Sequence, residues 1–83
     1  MFMHLGNNSI IFTSDLIAIL SLDQPVSEYI EDIIEVARLD KKLIALCSEG
    51  KEKSAVICQD RIYLSTISST TLLRRALNPY KEE

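Results

Sequence analysis

Five bases of this chain are of the type, and at the positions, to hold an anion. Lys51 and Lys53 stand beside a turn at Gly50, Arg61 follows a second turn, and Arg74 and Arg75 fall together near the C-terminus. Exposed bases on turns reach phosphates, and repetition of such a turn around an oligomer multiplies the contacts. The hydroxyl run Ser68-Ser69-Thr70-Thr71 offers either a helix cap or a seat for a phosphate on backbone N–H groups. No aromatic platform for single strands accompanies these bases, since Phe2, Phe12, Tyr29, Tyr63 and Tyr80 are scattered.

Catalysis has far less to work with. His4 is the only histidine and has no partner at a metal-ligand spacing; it reads as a strand residue. Glu28, Glu31, Asp32 and Glu35 recur one and two turns apart, the pattern of a solvated acidic ridge rather than a shielded acid/base pair. No phosphate-binding glycine loop, nucleophile elbow or Cys/His cluster occurs. Cys47 and Cys58, eleven apart, form neither a zinc pattern nor a disulfide framework and read as small buried hydrophobes with reduced thiols. The chain is therefore expected not to be an enzyme and to need no cofactor or metal.

The elements that would carry these residues follow from periodicity. The 83 residues, 47% apolar and 25% charged, suit one α+β domain over 1–83. Short strands are predicted over 3–5, 9–13 and 16–20, the first ended by Gly6-Asn7-Asn8. Val26, Tyr29, Ile30, Ile33, Ile34 and Ala37 repeat at three and four, the stripe of an amphipathic helix with Pro25 in its first turn. Strands over 42–47, 53–58 and 61–65 are expected to pair as an antiparallel meander. A second helix then runs from the serine cap to a stop at Asn78-Pro79. The order is β-β-β-α-β-β-β-α, a small antiparallel sheet with two helices.

Two consequences concern partners. The strands over 9–13 and 16–20 are apolar on both sides, while two short helices cover about one face of a five- or six-stranded sheet. The surplus predicts a homo-oligomer that buries the strand surface of residues 10–20. Charge is also uneven. Residues 1–40 carry one base against seven acids, for −6, and residues 41–83 carry eight bases against five acids, for +3, which together give the net −3. An acidic chain with a basic C-terminal half does not advertise nucleic-acid binding but permits a local positive surface. The seven uncharged residues 16–22, between Asp15 and Asp23, are far too few for a membrane span, and the N-terminus lacks the basic start and apolar run of a signal peptide. A cytoplasmic location is expected.

The start His4-Leu5-Gly6, the segment Ser14-Asp15-Leu16-Ile17-Ala18-Ile19-Leu20 and the run from Asp60 to Arg75 together resemble the RemA/RemB family of bacterial extracellular-matrix (biofilm) regulators, closer to its RemB side. The resemblance spans roughly residues 3–77. It implies a transcriptional regulator without a helix-turn-helix, assembled as a closed ring whose repeated arginines face double-stranded DNA. Those arginines belong near the start of the third strand and just after the glycine of the later turn. The matching positions here are Asp15, with Ser14 beside it, then Lys51 and Glu52; only Lys51 keeps the charge. Asp15 and Glu52 reverse it, and an acid facing a phosphate repels. A DNA surface on this chain is therefore expected to rest on Lys51, Lys53, Arg74 and Arg75. The alternative is an oligomeric module that has lost DNA binding and holds a protein partner instead.

Overall fold

The computed structural model describes residues 1–78; the expected stop at Pro79 lies outside the described residues. The elements are β1 (Phe2–Gly6), β2 (Ser9–Phe12), a single 3-10 turn (Thr13–Asp15), β3 (Leu16–Ser21), α1 (Glu28–Leu39), β4 (Leu43–Ala45), β5 (Ser54–Cys58), β6 (Ile62–Ser65) and α2 (Ser69–Leu77). Their order is the predicted one and the class is α+β.

The strands divide between two sheets. β1 and β2 form a hairpin whose two turn residues, Asn7 and Asn8, both take positive φ, as a tight hairpin requires. Gly6 precedes them at φ +94°, where a side chain would be strained and would crowd Ile67 at 3.1 Å. The second sheet has the order β3-β5-β6-β4. A single five- or six-stranded sheet is thus replaced by a four-stranded sheet with a separate hairpin.

The expected meander is also corrected. β5 and β6 do pair antiparallel, but β4 passes β5 by and lies parallel to β6. Ile62 N–H donates to the Lys42 carbonyl and Leu46 N–H to the Leu64 carbonyl, which fixes β4 on that far edge. The turn at Gly50 is real, with Lys51 N–H donating to the Ser48 carbonyl, yet it closes no hairpin.

Alternation along β5 explains why both sides of this sheet are apolar. Val56 and Cys58 face one way, into a cluster with Met3, Leu5, Ile11 and Leu72 from the hairpin and α2. Ala55 and Ile57 face the other way, into a cluster with Leu22, Ile34 and Ala37 on the α1 side. The helices therefore take opposite faces, and the hairpin joins α2 on one of them. A bulge at Ile17 lets Leu16 and Ile19, three residues apart, share the hairpin face.

α1 begins later than Pro25: Ser27 caps it by accepting from Ile30 N–H, so the proline lies before the helix. It ends in a Schellman arrangement, Lys41 at φ +61° with Lys42 N–H donating to the Ala37 carbonyl. Only part of the expected stripe is inside. Val26, Ile30, Ile34 and Ala37 pack on the sheet, whereas Tyr29 is 83% exposed and Ile33 42%. A sheet covers only one side of a helix, and here the apolar arc is wider than that side.

Candidate nucleic-acid interface

The four expected DNA-facing bases fall in two groups. Lys51 and Lys53 are exposed in the segment leading into β5. Lys53 is anchored by its backbone, its N–H donating to the Ser65 carbonyl and its carbonyl accepting from Leu22 N–H. Its side chain therefore leaves a fixed point at the Ser54 end of the sheet. Arg74 and Arg75 ride the second half of α2, roughly 8–9 Å along the axis from Ser69 at 1.5 Å per residue.

Glu52, between the two lysines, behaves differently from them. Its Oε1 accepts the Gly50 N–H at 2.9 Å, and the residue is half-buried in a cavity of about 380 Å³ shared with Glu31, Glu35 and Arg38 of α1. The reversed charge at this family position is thus drawn toward α1 and spent on bracing the turn. The expected ridge on α1 divides accordingly. Glu31 and Glu35 line this cavity, with Glu35 paired to Arg38, while Asp32 faces the opposite flank.

Asp15, the other reversed position, stands at the far end of the sheet. Its carbonyl accepts Gln59 N–H, and Leu16 is in register with Cys58, so roughly 15 Å of β5 separates it from Lys53. Asp15 is exposed and lines a cavity of about 260 Å³ with Gln59, Asp60 and Arg61. The structure therefore sets an exposed arginine beside the exposed acid. Arg61 was visible in the sequence as a base after a turn, but its neighbour was not, because the two are 46 positions apart.

Three buried or half-buried hydroxyl contacts position the second group. Ser65 and Ser54 are wholly buried and opposite each other in the ladder. Ser65 Oγ donates to the Leu5 carbonyl at 2.7 Å and accepts from Ile67 N–H, while Ser54 Oγ donates to the Ile67 carbonyl at 2.7 Å. Hairpin, sheet and the lead into α2 are pinned at one point. Ser68 then caps α2, accepting from Thr71 N–H and donating to Thr71 Oγ1, so the hydroxyl run serves as a cap. Further along, Arg75 Nη1 donates to the His4 carbonyl at 3.1 Å, tying the helix to β1 and leaving Arg74 as the more exposed of the pair. Neither signal was legible in the sequence, since a serine in a strand and an arginine in a helix name no partner.

The thiols stand apart from all of this. Both are free; Cys58 is buried at the end of β5, and half-buried Cys47 lies beyond β4, its Sγ 3.9 Å from the Leu64 carbonyl. They do not end adjacent strands as expected, because β6 intervenes. Burial pushes both thiols above their ordinary pKa, aided by Glu52 at Cys47 and by Asp15 at Cys58, where Arg61 opposes the shift. Raised thiols are poor nucleophiles at neutral pH. Among the described residues no helix is long and apolar enough to cross a membrane.

Comparison with known proteins bears on this arrangement directly. Residues 2–76 match the RemA-like family, described as "Extracellular matrix regulatory protein A-like". The chain belongs to the RemA-like family. It is also 30% identical over 76 residues to Extracellular matrix regulatory protein B of Bacillus subtilis (strain 168), covering 92% of this chain and 90% of that protein. The RemA-like match runs from β1 to the penultimate residue of α2, so it includes both basic groups, both reversed positions and the serine contacts between them.

Proposed function

We propose that this RemA-like chain is a cytoplasmic DNA-binding regulator of bacterial extracellular-matrix genes, acting as a ring-shaped homo-oligomer through phosphate contacts repeated on every subunit. The observation that carries the reading is the pair of exposed lysines, Lys51 and Lys53, flanking a glutamate that is turned inward onto its own loop. That arrangement leaves positive charge on the outer side of the segment where the family places a base. Arg74, on a helix pinned by buried serines, adds a second contact, and Arg75 keeps donors beyond the one given to His4. Phosphate contacts of this kind set affinity and register without reading sequence.

Fluorescence anisotropy with a labelled duplex tests it. With two to three phosphate contacts per subunit, log affinity should fall against log salt with a slope steeper than about −4. The double change Lys51→Glu, Lys53→Glu should abolish binding while the assembly mass stays the same. Binding that survives it would put the DNA surface elsewhere.

Asp15 favours a second reading. It stays exposed, with no withdrawal like that of Glu52. Under this reading the same oligomer holds a protein partner and shows no affinity for the duplex even at moderate salt, an outcome the same titration would register.

A further inference from the structure

Glu52 separates the two lysines, and its contacts are not those of an acid that merely weakens a basic surface. Its Oε1 accepts the Gly50 N–H at 2.9 Å, so the side chain reaches back past Lys51 and closes a small ring around it. On the other side the Lys51 N–H donates to the Ser48 carbonyl at 3.1 Å, while the backbone of Lys53 is fixed by the Ser65 carbonyl and the Leu22 N–H. Gly50 is the loose link in this run. It sits at φ +89°, and a Cβ there would meet nothing within 4 Å, so no packing restrains it. Glycine also has the most backbone freedom to lose. The carboxylate of Glu52 is therefore what holds the turn at that residue.

Charge does not account for this inward position. The cavity that Glu52 lines already holds Glu31 and Glu35, and the one base there, Arg38, is paired with Glu35. Two like charges favour turning the carboxylate outward, toward Lys51 and Lys53. The bond from Gly50 opposes that. We propose that Glu52 is a positioning residue for the lysine pair: it orders the turn that presents Lys51, and it keeps its own charge away from the phosphate the lysines meet. The proposal rests on the DNA reading given above. Under it, an acidic residue supports binding to a polyanion, and taking away its acceptor oxygen lowers the affinity.

Three variants of the full chain separate acceptor from charge. Glu52→Gln, Glu52→Met and Glu52→Ala all remove the same negative charge, but only Gln keeps an oxygen for the Gly50 N–H, and Met keeps the length without it. In the duplex anisotropy titration, Gln should bind at least as tightly as the parent, while Met and Ala should bind about fivefold more weakly than Gln, the effect of one hydrogen bond. A readout without DNA accompanies it. Trypsin should cut after Lys51 several times faster in Met and Ala than in Gln, each rate taken relative to a matching unstructured peptide. Equal cleavage in all three variants overturns the brace, whatever the duplex does. Unequal cleavage with equal duplex affinity overturns the positioning role. Unequal cleavage in a protein whose parent binds no duplex upholds the brace and rejects the DNA reading, so the two proposals fail separately.

Discussion

The two faces of the four-stranded sheet are finished to different degrees. On the hairpin face, Met3, Leu5, Val56 and Leu72 have no solvent exposure at all. On the α1 face the best-buried large side chain, Leu64, keeps 5%, and Ile62 and Leu22 keep 8% and 9%. The cause is the number of covering elements: a hairpin and a helix on one side, a single helix on the other. The closed face holds the fold and, through α2, positions two of the bases. The half-open face leaves an apolar border on α1, where Tyr29, Val36 and Leu39 are exposed.

Core truncation should separate the faces most sharply. Leu72→Ala removes a wholly enclosed side chain from α2 and is expected to cost about 3–4 kcal/mol. Ile34→Ala on α1, half-buried beside an open groove that can relax, should cost about 2 kcal/mol or less. Domains of this size have roughly 5 kcal/mol to lose, so the Leu72 variant should be largely unfolded at physiological temperature. Urea denaturation of both measures the difference, and equal losses would erase the contrast between the faces.

A polar version of the same test lies at the serine contacts. Ser65→Ala leaves the Leu5 carbonyl and the Ile67 N–H without this partner in a dry site, a loss of about 1–3 kcal/mol. Ser54→Ala affects the Ile67 carbonyl alone and should cost about 1 kcal/mol. The ranking sharpens the comparison, because Ser65 joins hairpin to α2 and Ser54 does not. Reversal of that order would place the pin elsewhere.

How much of this was legible depended on range. Periodicity is local, so each strand and helix could be located, and the hydroxyls near residue 68 announced their cap. Pairing is not local. The Gly50 turn looked like a hairpin, but eight residues separate β4 from β5, and it is the bonds of Lys42 and Leu46 to β6 that place β4. The end of α1 gave no glycine signal because Lys41 takes the positive-φ position itself. At the candidate site, the exposure of Lys51, Lys53 and Arg74 was legible from charge alone. The withdrawal of Glu52, the bond from Arg75 to His4 and the meeting of Asp15 with Arg61 were not, since each depends on which elements the fold brings together.

The smallest expected effect concerns Cys58, at the end of the closed face nearest Asp15. Its thiol pKa is raised in the folded chain, first by burial and then by Asp15, with Arg61 opposing. As pH climbs past the ordinary thiol range, the unfolded chain releases this proton before the folded one does. The unfolded state then binds fewer protons, and stability falls as pH rises; below that range the group contributes no slope. Asp15→Asn removes one cause of the shift while leaving Arg61, so the alkaline decline in urea midpoint should become shallower than in the parent. Cys58→Ala should shrink the decline further, at the cost of an offset in stability at every pH. If Asp15→Asn leaves the alkaline slope untouched, burial, opposed by Arg61, sets the thiol without help from Asp15. The carboxylate at residue 15 then faces outward without reaching the core, where its negative charge would weigh against phosphate at that end of the sheet.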